Sequence, residues 1–111
     1  MNKTHRADNN QAEIVDALRQ SGHHVVILSQ VGGGCPDLLV SRGGMWWMIE
    51  VKTDNSSTTT SGILSGEQCI FINEALGPVL VCRSVSEAIY KSNLVIAGQW
   101  NGKKSREQIC T

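Results

Sequence analysis

Apolar and polar positions follow a helical period in some parts of the chain and the shorter pattern of strands in others. Residues 8–20 place apolar side chains on one face of a helix, and this predicts a first helix. The β-branched run at residues 25–28 and the apolar runs at residues 37–41 and 45–52 predict three strands. The first half of the chain is therefore expected to form one helix followed by three strands.

The second half of the chain alternates between helix and strand. A second helix is predicted over residues 65–75, because Gly77-Pro78 then interrupts any regular element. Residues 79–82 predict a fourth strand. Ser84-Val85-Ser86-Glu87 has the form of a capping box, which predicts a third helix running to about residue 91.

This order predicts an α/β fold, α-β-β-β-α-β-α, in which helices flank a mixed four-stranded sheet. The third strand, second helix and fourth strand form a parallel crossover, whereas the first hairpin is antiparallel. Residues 53–62, rich in Ser and Thr, are expected to form a flexible loop, and residues 94–97 can form a further strand. We expect one domain over residues 1–92, followed by a partly ordered C-terminal extension at residues 93–111.

Composition narrows the possible classes of function. The chain has 111 residues, which is enough for one domain, and its formal net charge is zero. A protein that coats nucleic acid non-specifically would carry a basic excess, so that class is disfavoured. A nuclease is compatible with zero net charge, because its own carboxylates offset its basic residues. With neither a signal peptide nor a membrane-spanning run, we expect a cytoplasmic protein with reduced cysteines and no membrane partner.

Gly43-Gly44 predicts a two-residue hairpin loop between the second and third strands, because both positions can adopt positive φ. Counting back from this loop places Asp37 opposite Glu50, with roughly 4.5–5.5 Å between their Cβ atoms. Lys52 follows Glu50 by two residues, so it points to the same face of the sheet. Two carboxylates and one ammonium group are therefore predicted to converge at one end of the hairpin.

Two carboxylates held side by side repel each other and destabilise a sheet unless something compensates them. A hard divalent cation supplies that compensation, so we expect Mg²⁺ as cofactor, with Mn²⁺ as its substitute. Lys52 can then orient or help deprotonate an attacking water, or neutralise charge that develops on a phosphate. The alternative is a structural ion pair at a strand end. The convergence of all three residues in the most apolar part of the chain favours a catalytic site.

Pro36-Asp37 followed by Glu50-Val51-Lys52 resembles the signature of the PD-(D/E)XK nuclease superfamily. Residues 33–40 and 49–52 look more closely like the VRR-NUC and phage Holliday-junction-resolvase-like branch, and the resemblance extends over about residues 6–91. It implies a restriction-endonuclease-like fold and a Mg²⁺-dependent endonuclease that cuts DNA, with a preference for structured or branched DNA. It also favours a phage or bacterial source, and a branched substrate with two strands to cut would suit a homodimer.

The resemblance further implies a metal site. Asp37 and Glu50 would be the central ligands, and the backbone carbonyl of Val51 would be another. Glu13 would be an acid that the first helix contributes, directly or through water. From the residues alone, Glu13 can also be a solvated residue beside the apolar face of that helix.

Two further residues have roles implied by the resemblance. Lys52 would be the catalytic lysine, and Gln68 would be the polar residue that the second helix brings to the site. Gln68 also lies three residues after Ser65, so it can simply complete a capping box at the start of that helix. The sequence leaves both interpretations of Gln68 open.

Several residues are candidates for contact with nucleic acid. Gly33 and Gly34 lie in a glycine run that can approach a phosphate closely, although a tight turn before the second strand explains the run equally well. Arg6 has helical spacing from Glu13, so it can contact a phosphate or pair with that acid. Arg42 is a candidate contact to the DNA backbone. Both arginines can also be solvated surface charges.

Three other functions compete with a nuclease. A nucleic-acid-binding module with the same fold but no catalysis would have no need for the intact acidic pair and lysine. A thiol enzyme built on Cys35 or Cys69 lacks any local signature in the sequence. A structural protein of a phage particle would carry these charges only as solvated groups. The nuclease is the interpretation that uses the converging residues.

Overall fold

The computed structural model of the protein describes residues 6–53 and 64–100, so the predicted loop beyond residue 53 and the predicted tail lie outside the described residues. The elements follow the predicted order: α1 Arg6–Gln20, β1 His24–Ile27, β2 Leu38–Arg42, β3 Met45–Val51, α2 Gly66–Glu74, β4 Val79–Cys82 and α3 Val85–Ile96. Among the described residues, none of these helices is long and apolar enough to cross a membrane.

The four strands form one mixed sheet in the order β1-β2-β3-β4. The strands β1, β2 and β3 pair antiparallel, and β3 pairs with β4 in parallel. The predicted hairpin register is confirmed, since Arg42 lies opposite Met45 and Leu39 lies opposite Met48. Gly43 and Gly44 both have positive φ, as a two-residue loop of this kind requires.

Side chains alternate between the two faces along each strand, so the sheet has an apolar core on each face. Helices cover both of these faces. One face packs against α1 and α3, and its core includes Leu18, Trp47 and Leu80. The opposite face packs against α2 around Ile72 and Val81. The catalytic candidates of β3 point toward the face that α2 covers, so α2 is the helix that can reach them.

Helix α3 differs from the prediction. It continues to Ile96, so the strand predicted at residues 94–97 is wrong. Ala88, Ser92 and Val95 are buried along one face of this helix, and glycine first interrupts the pattern at Gly98. The domain boundary predicted after residue 92 therefore lies inside a helix.

Candidate active site

Asp37 lies immediately before β2, and its backbone and its side chain are both held by neighbouring strands. Its carbonyl accepts a 2.7 Å hydrogen bond from the N–H of Leu28. Its Oδ2 accepts a 2.8 Å hydrogen bond from the N–H of Val51 in β3. The Asp37 carboxylate is therefore fixed against the end of β3, beside Glu50, as the hairpin register predicts.

Glu50 is the buried member of the acidic pair, with 3% of its surface exposed. Burial and, after it, the neighbouring Asp37 carboxylate raise its pKa to about 8, and Lys52 only partly opposes these two effects. The Nζ of Lys52 lies 3.6 Å from the Oε2 of Glu50. This environment favours a protonated Glu50 at neutral pH, unless additional positive charge reaches the two carboxylates.

Gln68 combines the two roles that the sequence left open. Its side-chain Oε1 accepts a 2.8 Å hydrogen bond from the backbone N–H of Ser65. Its backbone N–H donates to the Ser65 hydroxyl, and these two bonds complete the capping box of α2. Its Nε2 donates a 2.9 Å hydrogen bond to the Oε2 of Glu50. The same amide therefore starts the helix and holds the carboxylate.

Lys52 is buried, with 8% of its surface exposed, and its backbone is held on both sides. Its N–H donates a 3.0 Å hydrogen bond to the carbonyl of Cys82 in β4. Its carbonyl accepts a 2.8 Å hydrogen bond from the Nδ2 of Asn10 in α1. The sequence does not reveal this role of Asn10, since an asparagine within a helix gives no sign of what its side chain contacts.

The glycine loop before Asp37 packs against the beginning of α2. Gly34 has positive φ, and a Cβ atom added to it would overlap the carbonyl group of Glu67. Gly33 also has positive φ, but a Cβ atom there would meet nothing within 4 Å. Gly34 is therefore engaged in packing, whereas the backbone of Gly33 is exposed and open to a ligand.

Three other predicted site residues lie on α1 or at the hairpin loop. Glu13 is exposed on α1, and over residues 6–53 and 64–100 no group of three or more His, Cys, Asp and Glu side chains could hold a metal ion. Arg42 ends β2 at the hairpin loop, about 17 Å along the strand from Asp37. The side chain of Arg6 lies outside the described part of the structure, so its phosphate contact stays a prediction.

The acidic pair fits a hard divalent cation. Asp37 and Glu50 offer carboxylate oxygens, and Mg²⁺ is commonly bound by one or two carboxylates while it keeps several waters. The raised pKa of Glu50 shows that the charge of Lys52 alone does not compensate the pair. The residues present therefore suit such an ion without a third carboxylate from Glu13.

Comparison with known proteins supports the fold. No family model matches the sequence, and no curated protein matches it. A solved structure described as a VRR_NUC domain matches with a TM-score of 0.55 and 23% sequence identity, over 84% of this chain and 97% of that chain. The resemblance that the sequence predicted is thus confirmed at the level of the fold. The protein has the mixed α/β fold of a VRR_NUC domain.

Proposed function

We propose that the protein is a Mg²⁺-dependent endonuclease that hydrolyses phosphodiester bonds in DNA, in the cytoplasm of a bacterium or a phage-infected cell. One observation carries this proposal: Glu50 is held between Lys52 and Gln68 and beside Asp37, at one end of the hairpin. The match to the structure described as a VRR_NUC domain supports the same chemistry.

In this proposal the acidic pair binds the cation, with the carbonyl of Val51 as a further ligand and Glu13 acting through water. When bound, such a cation neutralises phosphate charge and makes its coordinated water more acidic. The ammonium group of Lys52 stabilises the negative charge that develops on the phosphate during hydrolysis. Gln68 keeps the Glu50 carboxylate turned toward Asp37 through its 2.9 Å hydrogen bond.

The backbone of Gly33 is the contact to DNA that the structure supports best. It is exposed, and its loop leads directly into Asp37. Its N–H and the nearby backbone can approach a phosphate without interference from a side chain. Arg42 would contact the DNA backbone farther along, at the hairpin loop.

We further propose a homodimer that acts on structured or branched DNA. An apolar groove of about 300 Å³ lies between the hairpin and α2, and its lining includes Trp46, Phe71, Leu76 and Pro78. Trp46 is 59% exposed and Leu76 is fully exposed. Contiguous exposed apolar surface of this kind often marks a site of association. A second copy on this surface would bring a second active site, one for each strand of a branched substrate.

Light scattering during gel filtration tests the dimer. We expect the wild type to elute as a dimer and Trp46→Glu to elute as a monomer. Val31→Glu, at an exposed apolar residue outside the groove, serves as the control and should stay dimeric. A wild type that remains monomeric when bound to DNA contradicts the dimer.

Cleavage of a plasmid and of a synthetic four-way junction tests the nuclease. We expect cutting with Mg²⁺ or Mn²⁺, none in EDTA, and a loss on the order of a hundredfold or more for Lys52→Ala. Lys91→Ala is the matched control, because Lys91 also pairs with a glutamate, Glu87, at 2.8 Å but on α3. Binding of DNA without metal-dependent cutting would instead favour a catalytically silent binding module.

A further inference from the structure

Asn10 joins three elements next to the candidate active site. Its Nδ2 lies 2.8 Å from the carbonyl oxygen of Lys52 and 3.3 Å from that of Arg83, and it donates to both. Lys52 follows the last residue of β3, and Arg83 follows the last residue of β4. One side chain of α1 therefore ties together the ends of two parallel strands.

This contact matters because Lys52 lies just beyond the regular part of β3. Its N–H is held by the carbonyl of Cys82 at 3.0 Å, and its carbonyl is held by Asn10. With both groups fixed, the peptide planes on either side of Lys52 have one orientation, which sets the direction in which its side chain leaves the backbone. Without Asn10, the Lys52 carbonyl would lose this hydrogen bond, and its N–H would keep the bond to Cys82.

We propose that Asn10 is a positioning residue, which keeps the ammonium group of Lys52 beside Glu50 by fixing the Lys52 carbonyl. This inference rests on the proposed nuclease function. Misplacement of a reacting group by about 1 Å can reduce a rate on the order of a hundredfold. The 3.6 Å separation between Lys52 Nζ and Glu50 Oε2 depends on that backbone orientation.

Three variants separate positioning from general packing. Asn10→Leu keeps a branched side chain of similar size but cannot donate, whereas Asn10→Gln keeps the amide donor. Arg19→Leu is the matched control, because Arg19 also donates from α1 to a strand carbonyl, that of Val25, at 2.9 Å. Val25 lies in β1, away from Lys52, so loss of this bond should not disturb the lysine.

The measurements are kcat and KM for DNA cleavage, and hydrogen exchange of the Lys52 amide followed by NMR. For Asn10→Leu we expect kcat to fall by about tenfold to a hundredfold with KM little changed, and the Lys52 amide to exchange faster. Asn10→Gln should recover part of both losses. Arg19→Leu should leave kcat and the exchange rate of the Lys52 amide at wild-type level.

Wild-type kcat together with unchanged Lys52 exchange in Asn10→Leu would overturn the inference. So would equal losses of kcat in Asn10→Leu and Arg19→Leu, because that result indicates general stability. If the wild type does not cut DNA at all, the proposed function fails on its own. Hydrogen exchange then still decides whether Asn10 fixes the Lys52 peptide, since it requires no catalysis.

Discussion

The amide of Gln68 donates a 2.9 Å hydrogen bond to the Oε2 of Glu50 while its oxygen caps the N-terminus of α2. Formation of the first turn of α2 and orientation of a buried carboxylate therefore depend on one side chain. The side-chain nitrogen of this capping residue faces the buried Glu50 carboxylate, whose pKa is raised. The two functions can be separated by substitution, because they use different atoms of the amide.

Gln68→Glu should retain the cap and impair the site. A carboxylate can still accept the N–H of Ser65, but it places a second negative charge against Glu50. We expect the Glu50 pKa to rise, and each unit of that rise lowers the ionised fraction at a pH below the pKa about tenfold. Cleavage rates measured from pH 6 to 9 should therefore fall, with the profile moved to higher pH.

The control for this prediction is Ser65→Ala. It removes the hydroxyl that accepts from the Gln68 N–H, at a cost of about 1 kcal/mol in stability, and leaves the Gln68–Glu50 hydrogen bond in place. Its cleavage profile should match that of the wild type at a temperature where both are folded. An unaltered profile for Gln68→Glu would show that the contact to Glu50 has no catalytic consequence.

The raised pKa of Glu50 predicts the pH dependence of the metal-free protein. Burial and the Asp37 carboxylate raise this pKa from 4.5 to about 8, so between these values the folded protein holds a proton that the unfolded chain releases. The contribution of Glu50 to stability is complete below pH 4.5 and is lost as the pH rises through 8. Glu50→Gln should remove this loss.

Urea denaturation in EDTA at pH 5 and pH 8.5 measures this effect. The free energy of unfolding of Glu50→Gln should decline less between these values than that of the wild type. Equal declines in the two proteins would mean that Glu50 titrates normally in the folded state.

His23 should produce a pH dependence of the opposite sign. It is buried and packs edge-to-face with Trp47, with ring centroids 5.8 Å apart, and its Nδ1 donates to the Leu18 carbonyl at 3.0 Å. Burial lowers its pKa below 6.5, the Leu18 carbonyl opposes this, and Arg42 adds to the lowering. Its contribution to stability is therefore complete above about pH 6.5 and is lost as the pH falls through the lowered pKa.

His23→Phe keeps an aromatic ring against Trp47 and removes the titrating group. We expect the free energy of unfolding of the variant to fall less between pH 7 and pH 5 than that of the wild type. Because Glu50 acts in the other direction over this range, the comparison is best made in a Glu50→Gln background. Parallel pH curves in that background would contradict a lowered pKa for His23.

Gly33 and Gly34 form a matched pair for testing the contact between the glycine loop and α2. Both have positive φ, so alanine at either position costs about 1–2 kcal/mol in backbone strain. At Gly34 the added Cβ also overlaps the carbonyl of Glu67, so Gly34→Ala should be clearly less stable than Gly33→Ala. Thermal unfolding of both variants measures the difference, and equal melting temperatures would mean that the loop yields without cost.

The sequence was most informative about the hairpin. Gly43-Gly44 fixes the loop, and the loop fixes the register, which brings Asp37 and Glu50 to the same end of two strands. The α2 cap could be predicted for the same reason, since Ser65 and Gln68 are close along the chain. Local chemistry of this kind is visible in a sequence because it depends only on short spacings.

Contacts between distant segments could not be predicted in this way. Asn10 contacts carbonyl groups 42 and 73 residues away, and no spacing rule indicates such a partner. The apolar run at residues 94–97 suggested a strand, but burial against the sheet through Ser92 and Val95 keeps these residues in α3 up to Ile96. Tertiary packing overrides the β propensity of the run.

The end of β3 is held from both faces of the sheet. Asn10 on α1 contacts the Lys52 carbonyl, and Gln68 on α2 contacts the Glu50 carboxylate. Lys52 and Glu50 are thus each held by a side chain from a different helix. We therefore expect a chain whose sheet has formed but whose helices have not yet docked to be inert toward DNA. In the proposed nuclease, this dependence on both helices delays cutting until folding is complete.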